Sequence, residues 1–486
     1  MMKRYILICA AAALSVMPSA VAADYSPAPA SQVEEDIAGK AGSKQPLMEL
    51  SLDRCLEMAL ENNMDVLNSR LDVYAAKAQK QEAVAGYFPD VSVNAFTFYA
   101  FDPMLELGIK DIIGESEFSN TLQGLIDYAA STYGFDPVYS TLKKGISANV
   151  TVLQPVFAGG RIVNGNRLAA LGLEAAGLQK NISERNTAED VEKAYWQVVS
   201  LEEKMKTLDR MQALVDTLYK DVSSACAAGL ATETDMLQVR LRQNELRSGK
   251  ISLKNGIRLA RMKLFNDTGV RYNPYSTIAN DSIPYIDDII LTDRPDCLDA
   301  PLMYWQPEEE VAARQDEARL LDISVRSKEL EKKMVMGEAL PQIGVGVSYG
   351  YSRLISDGRM NGAVFASLQI PLSDWGRTAR KMQRYEAQIQ KAENEKEYLN
   401  AQLVLQVRKL WIDLESAWEQ LLVARESVAV AQAGVEDLTA YYDAGMSPLS
   451  ELLDAQMQLQ EAMNACVDHS ISYRTALQAY LDRIEK

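Results

Sequence analysis

From Val407 to Tyr442, apolar residues recur in alternating steps of three and four: Val407, Leu410, Leu414, Ala417, Leu421, Ala424, Val428, Ala431, Val435, Leu438 and Tyr442. A period of about 3.5 is a coiled-coil seam, because it keeps one helix face turned toward its partner. The pattern predicts one helix from about Gly376 to Asp443, close to 100 Å long at ~1.5 Å per residue. Val191, Ala194, Val198, Leu201, Met205 and Leu208 repeat the seam less regularly and predict a second long helix, about Gly160 to Ser224. Opening helices from Leu52 to Gly86 and from about Pro307 to Leu340 precede these, and closing helices follow glycine turns at Gly229 and Gly445. An opening and a closing helix together match one long helix, so stacked end to end they could line it.

A second period marks four short strands. Ile343, Val345, Val347, Tyr349 and Tyr351 alternate with Gly344, Gly346, Ser348 and Gly350. Val91, Val93 and Ala95, then Ile146, Ala148, Val150 and Val152, and Val364, Ala366, Leu368 and Ile370 form the other sets. Alternation with period 2 is a strand with two unlike faces. Four such strands cannot close a sheet by themselves, so they either pack on a soluble core or pool with strands of other chains. Phe96, Phe98, Tyr99 and Phe101 gather at one strand end, as aromatics do where a membrane barrel meets its interface.

The helix–strand–strand–helix–helix order occurs twice. An offset of 216 lays Pro155 on Pro371, Gly160 on Gly376, Arg161 on Arg377 and Gly229 on Gly445. An offset of 252 lays Pro89 on Pro341, so the first copy has 36 extra residues, about Asp102 to Gly145. Short helices are expected there at Met104–Ile113 or Leu122–Ala130. The domain reading is a signal peptide at 1–23, a leader at 24–46, a first repeat at 47–268, a connector at 269–306 and a second repeat at 307–486. Duplication of this length points to architecture more than to an active site.

Composition narrows the function. Lys3 and Arg4, an apolar stretch from Tyr5 to Val16, and Ala20-Val21-Ala22 read as an export signal. The whole chain carries −17, and losing Lys3 and Arg4 takes it to −19, which argues against a nucleic-acid partner. Cys55, Cys226, Cys297 and Cys466 are widely spaced, with no zinc pattern; one disulfide is possible, but sequence cannot pair them. His469 is the one histidine and reads as a helix surface or packing residue. No metal, cofactor or catalytic set is expected. A two-carboxylate hydrolase stays open as an alternative, although the carboxylates follow solvated helix-face spacing. A soluble periplasmic coiled-coil scaffold with a small β-domain also stays open.

The segments LSLDRCLEMALENNMDV, GYFPDVSV, LQPVFAGGR, LQIPLSDWGR, AAGLATETDMLQVRL and YDAGMSPLSELLDAQMQL, in this order, resemble the outer-membrane efflux family of TolC-like outer-membrane factors. The resemblance spans about residues 47–485. It implies a mainly α fold with a membrane β-barrel: a homotrimer with four strands per chain in one twelve-stranded barrel, continuous with a coiled-coil periplasmic tunnel. The family has no enzymatic activity. The implied function is the outer-membrane exit channel of a tripartite efflux or type I secretion system in a Gram-negative bacterium. The implied partners are a periplasmic adaptor, an inner-membrane pump and outer-membrane lipid.

Two acidic residues three apart constrict the family's tunnel, and they match Glu451 and Asp454 here. Spacing of i, i+3 sets both on one helical face, although first-turn acids also suit the helix dipole. Tyr442 and Asp235 match two further closure positions. Asp235 also ends Thr232-Glu233-Thr234-Asp235, a capping-box pattern, and Tyr442 also ends the heptad seam. Where the family pattern has an arginine two residues after the turn glycine, this chain has Ser447, so closure here is expected to rest on packing and hydrogen bonds. The remaining implied structural positions are the turn glycines Gly229 and Gly445 and the strand–helix junctions Pro89, Pro155, Gly160, Arg161, Pro341, Pro371, Gly376 and Arg377.

Overall fold

The structure, a computed structural model, describes residues 48–102, 105–107, 114, 116–134, 139–141, 144–275, 283–294, 299–353 and 358–484. The expected signal peptide and leader lie outside them, as does Cys297. Two helices of 67 residues dominate: α4 (Arg161–Ala227) and α8 (Arg377–Asp443). Each is followed by a closing helix of 36 residues, α5 (Glu233–Thr268) and α9 (Leu449–Ile484). Gly160 and Gly376, both with φ 77°, begin the long helices, since only glycine enters that left-handed region without strain.

The opening helices correct the sequence reading, because each is broken in two. In the first copy, α1 (Leu52–Asn62) ends and α2 (Met64–Ala85) begins at Asn63, whose backbone is extended at ψ 134°. Its side-chain oxygen accepts the Asp65 N–H at 2.8 Å, so one asparagine closes one helix and caps the next. In the second copy, Gln315 separates α6 (Glu308–Arg314) from α7 (Asp316–Glu338). Gln315 spends its amide on the far end of the chain, donating to the Arg483 carbonyl at 2.9 Å and accepting from the Arg483 guanidinium at 3.0 Å.

Four strands form one antiparallel sheet in the order β2 (Asp90–Tyr99), β5 (Lys144–Ala158), β7 (Gln342–Arg353) and β8 (Arg359–Gln369). β5 runs through Pro155 with a register shift before Phe157, so Pro155 lies inside a strand and not at the junction where sequence set it. The register aligns Val91, Val152, Val347 and Val364 in one row across all four strands. The next row, on the opposite face, is Ser92, Thr151, Ser348 and Ala363. The sheet is therefore mainly apolar on one face, which stands open, and mainly polar on the other, where Phe96, Phe98 and Phe365 intervene and Ser147 is buried. Val93 is 73 % exposed, Val364 83 % and Leu368 63 %, and all 11 residues of β8 are exposed.

The helical layer repeats the order of the sheet. Next to the strands, α2, α4, α7 and α8 lie in sequence side by side; toward the turns the order is α5, α4, α9 and α8. α2 leads into β2, β5 into α4, α7 into β7 and β8 into α8, so each strand continues its own helix. The predicted seam faces inward: Val407, Leu414, Ala417, Leu421 and Ala424 are buried, and Ala431, Val435, Leu438 and Tyr442 pack on a core built from Leu208, Met211, Val215, Leu246 and Leu453. In the extra segment, Ser116 and Gly134 cap a helix, α3 (Glu117–Tyr133), which includes the expected Leu122–Ala130. The alternative helix at Met104–Ile113 is not formed, since Leu105–Leu107 is strand β3, paired with β4 (Tyr139–Thr141); the rest of 103–113 lies outside the described residues. Cys55, Cys226 and Cys466 are unpaired, and burial, then Asp293, push the Cys55 thiol up to about 12.

A buried charge cluster joins both copies. The Arg185 guanidinium of α4 and that of Arg483 in α9 both donate to Oε1 of Glu317 in α7, Arg483 at 3.0 Å. Burial raises the Glu317 carboxyl, but its backbone N–H and the two arginines more than offset this and hold it below the usual carboxylate range. Glu317→Gln is expected to cost about 2–3 kcal/mol, under the figure for a fully enclosed pair because Glu317 keeps 27 % of its side chain exposed. That stability is present above the unfolded carboxyl value of about 4.3 and lost as pH falls through the lower folded value. Thermal midpoints in detergent should thus fall more steeply below about pH 4 in wild type than in the variant. At the turns, Gly229 and Gly445 have φ 75° and 70°, and an added Cβ would touch nothing at either. Gly445→Val is then opposed by backbone strain alone and should lose about 1–2 kcal/mol; an unchanged midpoint would show that φ is not held there.

Candidate functional site at the hairpin ends

The α8–α9 turn is a left-handed cap: Gly445 N–H donates to the Tyr442 carbonyl at 2.9 Å and Met446 N–H to the Tyr441 carbonyl at 2.8 Å. α9 then starts with Leu449, Leu452 and Leu453 turned into the shared core and Glu451 and Asp454 exposed between them. The structure thus brings the two predicted acids onto one open face. Ser447 Oγ donates to Glu451 Oε2 at 2.7 Å, so at the position where a charged latch was not expected the serine orients the carboxylate by a neutral hydrogen bond.

Asp235 occupies the matching place on the first hairpin, because the 216 offset carries it onto Glu451. It sits in a reciprocal capping box. Its carboxylate accepts from Thr232 N–H at 2.9 Å and Thr232 Oγ at 2.7 Å, and Asp235 N–H donates to Thr232 Oγ at 3.2 Å. Asp454 has no acidic twin, since the same offset lands on Gln238. The acid pair therefore belongs to the second hairpin only. Tyr442 is half-buried on the core; burial, then the negative field of Asp235, Asp443 and Asp221, raises its phenol above the ordinary value. Its first-copy counterpart is Cys226, so the two hairpin ends differ at this position as well.

Sequence reasoning missed the ties between the hairpins. Arg242 on α5 donates to Gln460 on α9 at 2.7 Å, and Lys204 on α4 pairs with Asp468 on α9 at 2.6 Å. No periodicity signals such polar bonds, although a comparison of levels above the two turns would have matched them. It also missed the distribution of charge. Between Arg425 and Arg474 there is no lysine or arginine, while eight carboxylates occur. Glu451 and Asp454 therefore lie in a stretch of chain that carries no cation.

At the other end of the helices, Pro89 and Pro341 immediately precede β2 and β7, and Pro371 follows β8 by two residues. Arg161 and Arg377 open the long helices, and their charges both bear on Glu338, whose carboxylate binds Lys381 at 2.6 Å. Beside this junction a Cβ on Gly159 or on Gly337 would overlap the other's backbone, which fixes how closely α7 crosses the start of α4. Among the described residues no helix is long and apolar enough to cross a membrane, and no three metal-ligating side chains cluster.

Several solved structures share this architecture. A membrane protein from Pseudomonas aeruginosa superimposes with a TM-score of 0.70 at 16% identity, covering 89% of this chain and 93% of that one. The outer membrane protein VceC of Vibrio cholerae matches with 0.66 at 14%, over 89% and 95% of the two chains. The CmeC outer membrane channel of Campylobacter jejuni matches with 0.69 at 14%, over 89% and 85%. At such identities the likeness is one of fold. No curated protein matches the chain by sequence. The family profile of the outer membrane efflux proteins matches residues 55–270 and 335–481, which is most of the chain. With the two-faced open sheet and the two long hairpins already in hand, that match places this chain in the outer membrane efflux protein family.

Proposed function

We propose that the chain is the outer-membrane exit duct of a tripartite efflux or type I secretion system, working as a homotrimer with a periplasmic adaptor and an inner-membrane pump. The observation that carries this reading is the four-strand sheet with one apolar face, one polar face and two unpaired edges. In lipid, unpaired backbone groups must be satisfied by closure. β2 and β8 run in opposite directions, so β8 of one copy can pair antiparallel with β2 of the next. Copies then add four strands at a time. About eight strands leave an interior just filled by side chains, so twelve is the first multiple of four that favours an open passage. The valine row faces lipid, and the Ser/Thr/Asn face lines water. The helical layer has the same element order and closes under the same rotation, giving a tunnel that extends into the periplasm of a Gram-negative cell.

The hairpin ends close the tunnel. Three copies of Glu451 and Asp454 ring the aperture, with Asp235 and Tyr442 in the wall beside them. The extra segment around α3 lies at the opposite, external end. Such a ring attracts cations and repels anions. In planar bilayers the wild-type protein should show cation-preferring conductance steps. Glu451→Gln with Asp454→Asn should bring the preference close to unity while leaving the trimer intact. Steps with unchanged selectivity would move the filter elsewhere, and failure of well-folded protein to insert would remove the channel reading itself.

A further inference from the structure

The two long helices have equal length but unequal cover. α4 packs against elements of both copies, whereas α8 packs chiefly against its own copy and leaves one face open. The 216 offset makes the contrast direct: Trp196 of α4 is fully buried, and its counterpart Ile412 of α8 is 54 % exposed. α5, at the other end of the row, is open too. Its outer face presents Leu237, Leu241 and Ile251, which are 54 %, 60 % and 61 % exposed. The outer face of α8 presents Leu422, Val423 and Val430 at 47 %, 63 % and 67 %. Leu237 and Leu241 are four apart and Val423 and Val430 seven apart, on the side of each helix turned away from the existing core.

Charge separates the two edges. α5 has eight basic and four acidic residues, and three of the basic ones, Arg240, Arg247 and Lys254, recur every seven residues, exposed and, among the described residues, without an ion pair. Other cations of the helix are satisfied within the chain, such as Lys250 by Asp209 and Arg258 by Asp287. α8 carries Glu415, Glu419 and Glu426 along its open side, likewise exposed and unpaired among the described residues.

Height above the turns sets which groups could meet. Within a hairpin, residues equally far from the turn glycine lie side by side: Lys250 and Asp209 are 21 and 20 residues from Gly229. The rule also holds between hairpins, since Lys204 is 25 residues from Gly229 and its partner Asp468 is 23 from Gly445. By the same count Arg247 (18) meets Glu426 (19), Lys254 (25) meets Glu419 (26), and Leu241 (12) meets Ala433 (12). At ~1.5 Å per residue these levels differ by less than about 2 Å.

We propose that the open edge of α5 docks on the open edge of α8 of a second copy of this chain, with Arg247 and Lys254 facing Glu426 and Glu419 across an apolar seam. The inference rests on the ring closure proposed above and adds what specifies it. Basic edge against acidic edge permits head-to-tail joining, and like edges repel, so the order of hairpins around the ring is set before the sheet edges pair.

The test uses full-length protein extracted from membranes, with its mass measured in detergent. Glu419→Lys with Glu426→Lys should lower the trimer fraction at limiting concentration by at least about tenfold, since two modest pairs are lost at each seam. Adding Arg247→Glu with Lys254→Glu should restore it. Leu241→Cys combined with Ala433→Cys should give an oxidised three-chain species that neither single variant forms. A stable trimer that ignores charge reversal and yields no such species overturns the seam and leaves the ring. Reversed charges that do not rescue also overturn it, and wild type that stays monomeric overturns the ring reading instead.

Discussion

Backbone hydrogen bonding at two strand edges governs the rest of this structure. β2 and β8 each offer a row of N–H and C=O groups that no residue of the same sheet satisfies. In water such edges would invite aggregation, and in lipid each unmet group would cost several kcal/mol. Neither edge shows the usual protections. β8 is 11 residues long with no proline, and β2 holds Val91, Val93 and Tyr99 exposed. Edges this bare, on a sheet with one apolar and one polar face, make sense only as joints. The helices inherit the constraint, because each of the four strands runs straight into one of them and copies its place in the row.

Two long hairpins of like element order let one chain present two different ends. Two helices of equal length stand in unequal surroundings, α4 inside the row and α8 at its margin. The inner position filled with large buried groups, Tyr195 and Trp196 in edge-to-face contact at 5.6 Å between centroids, capped by Arg474 at 4.4 Å. The marginal position kept the inward seam and made its outer face apolar and acidic. A symmetric pair of hairpins could have assembled in several orders. In the seam proposed above, their difference in charge would remove that ambiguity at little cost in folding, since those residues lie outside the core.

Much of this was legible in the sequence because it depends on period. The 3.5-residue seam located α8 to within a residue at either end, and the alternating glycines of β7 located the sheet. What escaped depends on single side chains choosing distant partners. Asn63 and Gln315 break helices whose apolar pattern continues across the break, and nothing local distinguishes them from other polar helix residues. Pro155 reads as a terminator, yet β5 continues past it because a register shift absorbs the missing N–H. The candidate aperture was half legible. Spacing placed Glu451 and Asp454 on one face, but the Ser447 hydroxyl that orients Glu451 has no periodic signature. The capping role of Asp235 was readable from Thr232 alone.

The acids at the hairpin ends raise a question of stability that the local geometry answers. In the proposed aperture a ring of carboxylates would repel itself, and neutralising each with a lysine would cancel the field that gives it a use. Here compensation comes from dipoles. Glu451 lies in the first turn of α9, where unpaired N–H groups give the helix end partial positive charge, and Ser447 supplies a hydroxyl donor. Asp235 is held the same way by the N-terminus of α5 and by Thr232. Such interactions fall off within a turn, so they stabilise the carboxylate locally without screening it from an ion on the open side. The absence of lysine and arginine between Arg425 and Arg474 then reads as the complement of that arrangement. Cationic side chains are concentrated on α5 instead, where they can join copies without entering the field of the aperture.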